Sequence, residues 1–470
     1  MAALAATAVP ALPAHAGTAP APLRPVVHAR AVADAVVQAA GVGGAAAGTV
    51  SAVVSIASPA GADAAIARLA AAPATVSRAT RLATLAHLAP AASSGARVVI
   101  WARQHGLTVT RSDAWDVTVS GPVGAMSTAF GTALVAAPSP YAPHGPASYL
   151  RPVTPPVVPA ALRTVARSVV GLDTRPLYRP SAAPKFTLGD AGFTGDQLRD
   201  AFGAPRDPSA GAGITVATVQ FSGFHTSDFV DYANAADIPL FSGQLTTVPV
   251  DGANPGLPVG NADEEVVLDT ESILSVAPMA RQRVYFAPNL LSGSIDAFTA
   301  MANDALAGKI QVVSSSWGHC ETGVSPVEAA AIQLQVQRIV AAGATMSASS
   351  GDSGTDDCGN ATTAVDFPTS VPEVVSVGGT SLTNGYDTGW SGAGGGASVL
   401  FARPSYQPAG LGIPGAHRQV PDVAMLADPN TGFAVAYGGG FPTVGGTSLA
   451  SPLFAGFLAG ALSEAGRTTG

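Results

Sequence analysis

The feature that most constrains the fold is an alternation of strand and helix patterns after residue 190. The run Ile214 to Phe221 is β-branched and bounded by glycine, which is typical of a buried parallel strand. Helical patterns follow, for example at Glu264 to Val276 and Pro326 to Ala341, and further strand runs lie at 284–286, 310–314 and 374–377. This order predicts an α/β domain with a doubly wound, mainly parallel sheet and a functional site beyond the carboxyl ends of its strands.

Ser448 is the candidate nucleophile of such a site. Two glycines and a threonine precede it, and an apolar, alanine-rich helical pattern follows, so we expect its hydroxyl near the positive end of a helix dipole. Pro452 is expected in the first turn of that helix. The same five letters, GGTSL, occur at 378–382, but a turn pattern follows them. Ser381 is therefore expected to end a strand without a chemical role.

A nucleophilic serine needs a base, and the usual histidine is not placed for it. After residue 190 the chain has only three histidines, none in a helix-opening His-Gly motif: His225, His319 and His417. Instead, Glu265 and Asp269 are four residues apart and share one face of a predicted helix. Paired carboxyl groups raise each other's pKa and can share a proton. The alternative is a solvated helix face, although three apolar residues between them favour burial.

Asp352 is the third candidate. It lies in Ser-Ser-Gly-Asp-Ser-Gly after an apolar run, which predicts a loop at a strand end. A protonated carboxyl group there could donate a hydrogen bond to an oxyanion, whereas an ionised one could not. The alternative is a simple Asx-turn.

Together these motifs resemble the sedolisin family, the serine-carboxyl peptidases with a subtilisin-like fold. The likeness lies in Glu265-x-x-x-Asp269, the Asp352 loop, Gly-Gly-Thr-Ser448-x-x-x-Pro and their order along the chain. It implies Ser448 as nucleophile, Glu265 as general base, Asp269 as the group that orients Glu265, and Asp352 as the oxyanion residue. The similar motif Ser314-Ser-Ser-Trp-Gly adds Trp317 as a supporting residue.

Two positions depart from that family. Several relatives have an acidic residue at the end of the first strand, where this chain has Gln220. An amide can still form hydrogen bonds there but cannot share a proton. The family also leads us to expect Ca²⁺, bound by a segment well beyond the serine helix. The chain given ends at Gly470, so we expect a catalytic domain at 191–470 that is truncated at its C-terminus, with no metal site in this chain.

The first third of the chain has the opposite charge. Residues 1–175 contain 12 Arg, no Lys, 5 Asp and no Glu, a formal balance of +7, against −15 for the remainder. This asymmetry predicts two parts that bind each other. Residues 81–175 are also similar to the family's propeptide. We therefore expect an inhibitory α+β (ferredoxin-like) propeptide at 25–173, acting in cis, and a processing linker at 174–190. Protonation of the carboxylates that attract it is expected to weaken its binding.

Residues 1–24 are expected to be the remnant of a signal peptide, because Ala14-His15-Ala16 is an A-x-A cleavage site. A disordered leader is the alternative. Secretion would allow Cys320 and Cys358 to form a disulfide, since both follow predicted strand ends near the site. Two buried free thiols are the other possibility.

Composition excludes other classes. Lysine occurs only twice and the formal charge is −8, so nucleic acid is excluded as a main partner, and no apolar run is long enough to span a membrane. The expectation is a monomeric, secreted serine-type endopeptidase that acts on protein or peptide substrates in acid. The alternatives are a tripeptidyl-peptidase of the same family and a catalytically inactive fragment that serves as a binding domain.

Overall fold

The computed structural model describes residues 48–72, 75–139, 148–180, 192–259, 262–359, 364–383, 386–407 and 415–468. The predicted leader at 1–24, the start of the predicted propeptide, and linker residues 181–190 lie outside these ranges.

The first unit is an antiparallel sheet with helices. Its sheet has the order β2-β3-β1-β6, and the hydrophobic core between sheet and helices contains Val54, Trp101 and Phe130. Its elements are β1 (Thr49–Ile56), α1 (Ala62–Ala70), α2 (Arg78–Leu88), α3 (Ala92–Gln104), β2 (Thr108–Ser112), β3 (Asp116–Pro122), α4 (Val123–Phe130), β4 (Leu134–Pro138), β5 (Ser148–Pro152) and β6 (Ala166–Val170). The predicted α+β class is confirmed.

The second unit contains most of the chain. Its elements are β7 (Arg179–Pro180), α5 (Gly195–Ala201), β8 (Thr215–Gln220), α6 (Thr226–Ala235), β9 (Leu245–Pro249), α7 (Asp263–Val276), β10 (Arg281–Phe286), α8 (Leu291–Leu306), β11 (Val312–Ser315), β12 (Trp317–Cys320), α9 (Pro326–Ala341), β13 (Thr345–Ser349), β14 (Asp366–Phe367), β15 (Val375–Thr383), β16 (Tyr386–Gly389), β17 (Gly396–Ala402), β18 (His417–Val420), β19 (Val423–Leu426), β20 (Phe433–Ala434), β21 (Thr443–Val444) and α10 (Thr447–Glu464).

The main sheet has the order β16-β15-β13-β11-β8-β10-β9, with β19 paired to β15. All of its pairs are parallel except β15 with β16. Helices α8 and α9 pack on one face, and α7 and α10 on the other. The predicted doubly wound sheet is therefore confirmed. The carboxyl ends of β8, β11 and β13 meet at one edge, where the candidate residues follow them.

Helices α7 and α10 are in direct contact. At their crossing, Gly456 leaves no room for a side chain, because an added Cβ would lie 2.5 Å from Val276 Cγ2 and 3.4 Å from Ile273 Cα. α7 is buried along its whole length. The two carboxyl groups predicted on it therefore face protein and not solvent, which excludes the solvated helix face.

The two units share a buried face. Strand β1 contacts α8, and α1 and α2 contact α9. Arg111 of the first unit lies at the centre of this interface, where it pairs with Asp116 of its own unit and, at 2.6 Å, with Asp296 of α8. Asp296 also accepts a hydrogen bond from Thr118 at 2.7 Å. The first unit is thus attached to the second by a buried polar cluster as well as by apolar contacts.

Candidate active site

Ser448 is fully buried at the second position of α10. Gly446 precedes the helix with a φ of 103°, a positive value that glycine adopts without strain because it has no Cβ. Pro452 is the sixth helical residue and not in the first turn as predicted. Because proline has no N–H, the carbonyl oxygen of Ser448 loses its intrahelical donor. The hydroxyl of Ser316 lies 3.2 Å from that oxygen and can replace the missing donor whenever its one hydrogen is not directed at Asp269, which lies 2.6 Å away.

Glu265 lies on α7 beside Ser448. The Ser448 hydroxyl donates to the carbonyl oxygen of Ser316 at 3.2 Å, and both carboxyl oxygens of Glu265 lack a donor at normal geometry among the described residues. Burial raises the pKa of Glu265 well above its ordinary value, and the charge of Asp269 raises it further. Ser448 is close enough to lower that pKa. If the Ser448 hydroxyl turned from the Ser316 carbonyl oxygen towards Glu265, the candidate nucleophile would donate a hydrogen bond to the candidate base.

Asp269 is fully buried one turn further along α7. Its Oδ1 accepts from the Ser316 hydroxyl at 2.6 Å, and its Oδ2 accepts from Gln220 Nε2 at 2.6 Å. Burial raises the pKa of Asp269, and these two hydrogen bonds oppose the rise. Gln220 Oε1 in turn accepts from Trp317 Nε1 at 2.8 Å. The predicted supporting residues thus form a continuous hydrogen-bonded chain from Trp317 to Asp269.

Asp352 follows β13 and faces the start of α10. Its Oδ1 accepts from Thr447 N at 2.7 Å and from Thr447 Oγ1 at 2.8 Å, while its buried Oδ2 has no hydrogen-bond partner among the described residues. Burial raises the pKa of Asp352 to about 7, Thr447 opposes this, and the charge of Asp357 adds to it. Asp352 therefore holds a proton in acid, and Oδ2 is the oxygen free to donate it.

The structure thus brings Ser448, Glu265, Asp269 and Asp352 to one end of the sheet. The histidines after residue 190 have other surroundings: His225 precedes α6, His417 begins β18, and His319 packs against Tyr178 and Phe367. Ser381 lies within β15 and donates to Asp428 at 2.6 Å.

Sequence reasoning missed the roles of Ser316 and Thr447. Ser316 contacts both Asp269 and the Ser448 backbone, and Thr447 holds Asp352. Both residues stand inside motifs that carry the family likeness, Ser-Ser-Ser-Trp-Gly and Gly-Gly-Thr-Ser. A polar residue directly beside a candidate functional side chain in such a motif was the available signal.

The chain that leaves the first unit runs along the edge of this site. Arg179 and Pro180, strand β7, pair antiparallel with Gly318 and Trp317 of β12. The preceding Tyr178 stacks on Phe221 with ring centroids 4.7 Å apart. An extended segment therefore occupies the strand edge directly after Ser316, whose carbonyl oxygen contacts the Ser448 hydroxyl.

The predicted disulfide between Cys320 and Cys358 is present, with Cα atoms 5.0 Å apart. It ties β12 to the loop that carries Asp352. Among the described residues, no group of three or more His, Cys, Asp or Glu side chains is arranged to hold a metal ion. No helix in the described ranges is long and apolar enough to cross a membrane.

Comparisons with known proteins identify the family of this chain. Residues 259–469 match the subtilase family, and residues 79–175 match the pro-kumamolisin activation domain. Kumamolisin of Bacillus sp. (strain MN-32) is 33% identical over 405 residues, which cover 79% of this chain and 72% of that protein. Sedolisin of Pseudomonas sp. (strain 101) is 30% identical over 381 residues, 73% of this chain and 63% of sedolisin.

Two further relatives are informative. The structure of Pseudomonas sedolisin, a serine-carboxyl proteinase complexed with pseudo-iodotyrostatin, aligns with a TM-score of 0.54 at 28% identity, covering 60% of this chain and 83% of that one. Tripeptidyl-peptidase 1 of Bos taurus is 28% identical over 263 residues, 50% of this chain and 45% of that protein. The chain belongs to the sedolisin family of serine-carboxyl peptidases, which are serine-type hydrolases of subtilisin-like fold, and it carries the family's activation propeptide.

Proposed function

We propose that the protein is a secreted endopeptidase that cleaves peptide bonds in acid through Ser448, Glu265, Asp269 and Asp352. The observation that carries the proposal is a pair of buried carboxyl groups beside Ser448 that lack hydrogen-bond partners among the described residues. They are Oδ2 of Asp352, whose Oδ1 is held by Thr447, the residue before Ser448, and both oxygens of Glu265. A carbonyl group bound between them would meet a donor for its oxygen and a base for the attacking hydroxyl.

The mechanism follows from these positions. Glu265 takes the proton of Ser448 as Oγ forms a bond to the carbonyl carbon, and the carbonyl oxygen gains the electron pair of the π bond. The Asp352 hydroxyl donates a hydrogen bond to that oxyanion. As the C–N bond breaks, the proton on Glu265 passes to the leaving amine. Water then hydrolyses the acyl-serine with Glu265 again acting as base. Asp269 orients Glu265 and stabilises its protonated form.

Acid conditions are required because Glu265 must be ionised while Asp352 is protonated. The pKa of Asp352, about 7, sets the upper limit. Burial raises the pKa of Glu265 in the zymogen, where β7 pairs with β12 directly after Ser316. We propose that removal of this segment admits water to the site, which lowers the pKa of Glu265 below that of Asp352.

Self-processing is supported by β7, which pairs with β12 as an extended substrate would. By contrast, the buried polar cluster of Arg111, Asp116 and Asp296 between the two units does not favour release of the first unit by acid alone. Burial raises the pKa of Asp116 to about 6 and also raises the pKa of Asp296. Groups whose pKa is raised in the bound state bind protons more tightly there, so acid strengthens this contact. We therefore propose that cleavage of the linker, and not loss of charge at Arg111, initiates activation.

The test compares the wild-type zymogen with two variants of its catalytic residues. At pH 4 the wild type should process itself and then cleave casein, whereas Ser448→Ala and Glu265→Gln should remain uncleaved with unchanged circular dichroism. The matched controls are Ser381→Ala, which alters the second GGTSL serine, and Glu264→Gln, which alters the neighbouring carboxyl group. Fastest casein cleavage at pH 8, or turnover by Ser448→Ala, would contradict the proposal.

A tripeptidyl-peptidase is the second candidate, because the chain is similar to tripeptidyl-peptidase 1 over half its length. Peptides with blocked N-termini separate the two activities, since an endopeptidase cleaves them and a tripeptidyl-peptidase does not. A fluorophosphonate probe at pH 4 separates both enzymes from an inactive binding domain. Secretion is supported by the disulfide and is tested by locating the processed protein in the culture medium.

A further inference from the structure

Gln220 is fully buried at the end of β8, and its side-chain amide lies between the indole N–H of Trp317 and the carboxyl group of Asp269. Its Oε1 lies 2.8 Å from Trp317 Nε1, and its Nε2 lies 2.6 Å from Asp269 Oδ2. An indole N–H can only donate, so the oxygen of the amide must face Trp317 and the NH₂ group must face Asp269. The chain of donors therefore runs in one direction, from Trp317 through Gln220 to Asp269.

This direction restricts where Asp269 can hold a proton. A proton on Oδ2 would point at the NH₂ hydrogens of Gln220, which cannot accept it. A proton on Oδ1 would face the Ser316 hydroxyl at 2.6 Å, and that hydroxyl could accept it and turn its own hydrogen towards the Ser448 carbonyl oxygen, 3.2 Å away. Oδ2 of Asp269 is thus an acceptor in either protonation state.

The carboxyl groups of this site act on one another. The charges of Asp269, Asp352 and Glu264 raise the pKa of Glu265, whereas hydrogen bonds from Ser316 and Gln220 lower the pKa of Asp269. Gln220 is consequently one of two neutral donors that hold Asp269 in place.

We propose that Gln220 is a positioning residue whose NH₂ group donates a hydrogen bond to Oδ2 of Asp269 at every pH. A carboxylic acid at this position could do so only while protonated. The inference rests on the proposed function of Asp269 and Glu265. A glutamic acid has the same reach but donates only while protonated, and when ionised it places a negative charge against Asp269. A methionine fills similar space and never donates.

The test compares Gln220→Glu and Gln220→Met with wild type in the mature enzyme between pH 3.5 and 7. We expect Gln220→Glu to retain kcat within about threefold at pH 4 and to lose about tenfold relative to wild type by pH 6, with KM unchanged. Gln220→Met should lose about tenfold or more in kcat at every pH, without a shift of the profile. The matched control is Gln282→Glu, a buried glutamine of β10 that donates to the Thr270 carbonyl oxygen at 2.8 Å, outside the chain of donors. Its profile should keep the shape of the wild type.

A second measurement does not depend on activity. In the Ser448→Ala zymogen, the buried carboxyl group that the Gln220→Glu substitution introduces should hold its proton to higher pH than it does in the unfolded chain. The stability of that double variant, relative to its Ser448→Ala parent, should therefore fall as the pH rises from 4 to 7.

The outcomes separate the two hypotheses. Acid turnover that does not require Ser448 overturns the proposed function, whatever Gln220 does. Ser448-dependent turnover combined with a wild-type profile for Gln220→Glu, or with wild-type kcat for Gln220→Met, overturns only the inference. If the wild type is inactive, equal loss of stability at pH 4 and pH 7 in the zymogen variant overturns the inference.

Discussion

Replacement of Asp352 by asparagine gives the sharpest test of its proposed role as the oxyanion donor. Oδ1 of Asp352 accepts two hydrogen bonds from Thr447, and Oδ2 is the unpartnered oxygen among the described residues. In Asp352→Asn only the amide oxygen can accept the hydrogen bond from the backbone N–H of Thr447. The NH₂ group must therefore stand where Oδ2 stands in the wild type. The variant therefore keeps a donor at the oxyanion position, and this donor does not titrate.

The magnitude follows from the pKa of Asp352, about 7. Wild-type enzyme should keep about nine tenths of this donor at pH 6, about half at pH 7 and about a tenth at pH 8, so kcat should fall about tenfold across that range. The kcat of Asp352→Asn should not show this fall between pH 6 and 8, which is the descending limb of the wild-type pH profile. The kcat of this variant at pH 5 should still exceed that of Asp352→Ala, which removes the donor and should cost about 10²- to 10³-fold.

The assay is steady-state cleavage of an internally quenched peptide by the processed enzymes between pH 4 and 8.5. Asp357→Asn is the control of opposite sign, because the charge of Asp357 raises the pKa of Asp352. Its descending limb should therefore move to lower pH. The reasoning is refuted if Asp352→Asn keeps the wild-type limb, or if it is no faster than Asp352→Ala.

Three further predictions concern the zymogen and the disulfide. In the Ser448→Ala zymogen, stability should fall as the pH rises from about 5 to 8, because burial raises the pKa of Asp296, and Asp296→Asn should flatten this slope in urea unfolding. A slope of the same size in both proteins would exclude Asp296 as its source. Replacing both Cys320 and Cys358 by serine should cost about 4 kcal/mol, since the bridge closes a loop with a sequence separation of 38. Chemical unfolding measures this loss, and intact mass before and after reduction verifies the bridge in the wild type. An unchanged unfolding midpoint would show that the bridge does not constrain the unfolded chain. The first autocatalytic cut should fall after Pro180 and within the predicted linker, because β7 already pairs with β12 beside the site. N-terminal sequencing decides this, and a first cut before Pro180 would contradict it.

Local patterns were sufficient for much of the fold and for the candidate side chains. Helix α9 has the predicted bounds, Pro326 to Ala341, because Ser325 caps it and apolar residues recur at helical spacing. The spacing of Glu265 and Asp269 placed them together on α7, and the bridge from Cys320 was expected from the strand ends beside it.

Contacts between distant segments could not be read in this way. Nothing around Asp296 in the sequence indicates that a buried helix residue pairs with Arg111, which lies far earlier in the chain. The same holds for β7, whose two residues gain their strand pairing only from β12. Pro452 was misplaced by one turn because helix starts are uncertain from sequence, and its real effect depends on Ser316, which follows another strand.

The contact at Gly456 has a consequence for the chemistry some two turns away. In the proposed mechanism Ser448 on α10 gives its proton to Glu265 on α7, so the distance of that transfer depends on how closely the two helices pack. An alanine at residue 456 would push α7 and α10 apart, because its Cβ would lie only 2.5 Å from Cγ2 of Val276. If the proposed mechanism holds, the size of residue 456 therefore affects the rate of proton transfer although this residue has no role in the chemistry itself.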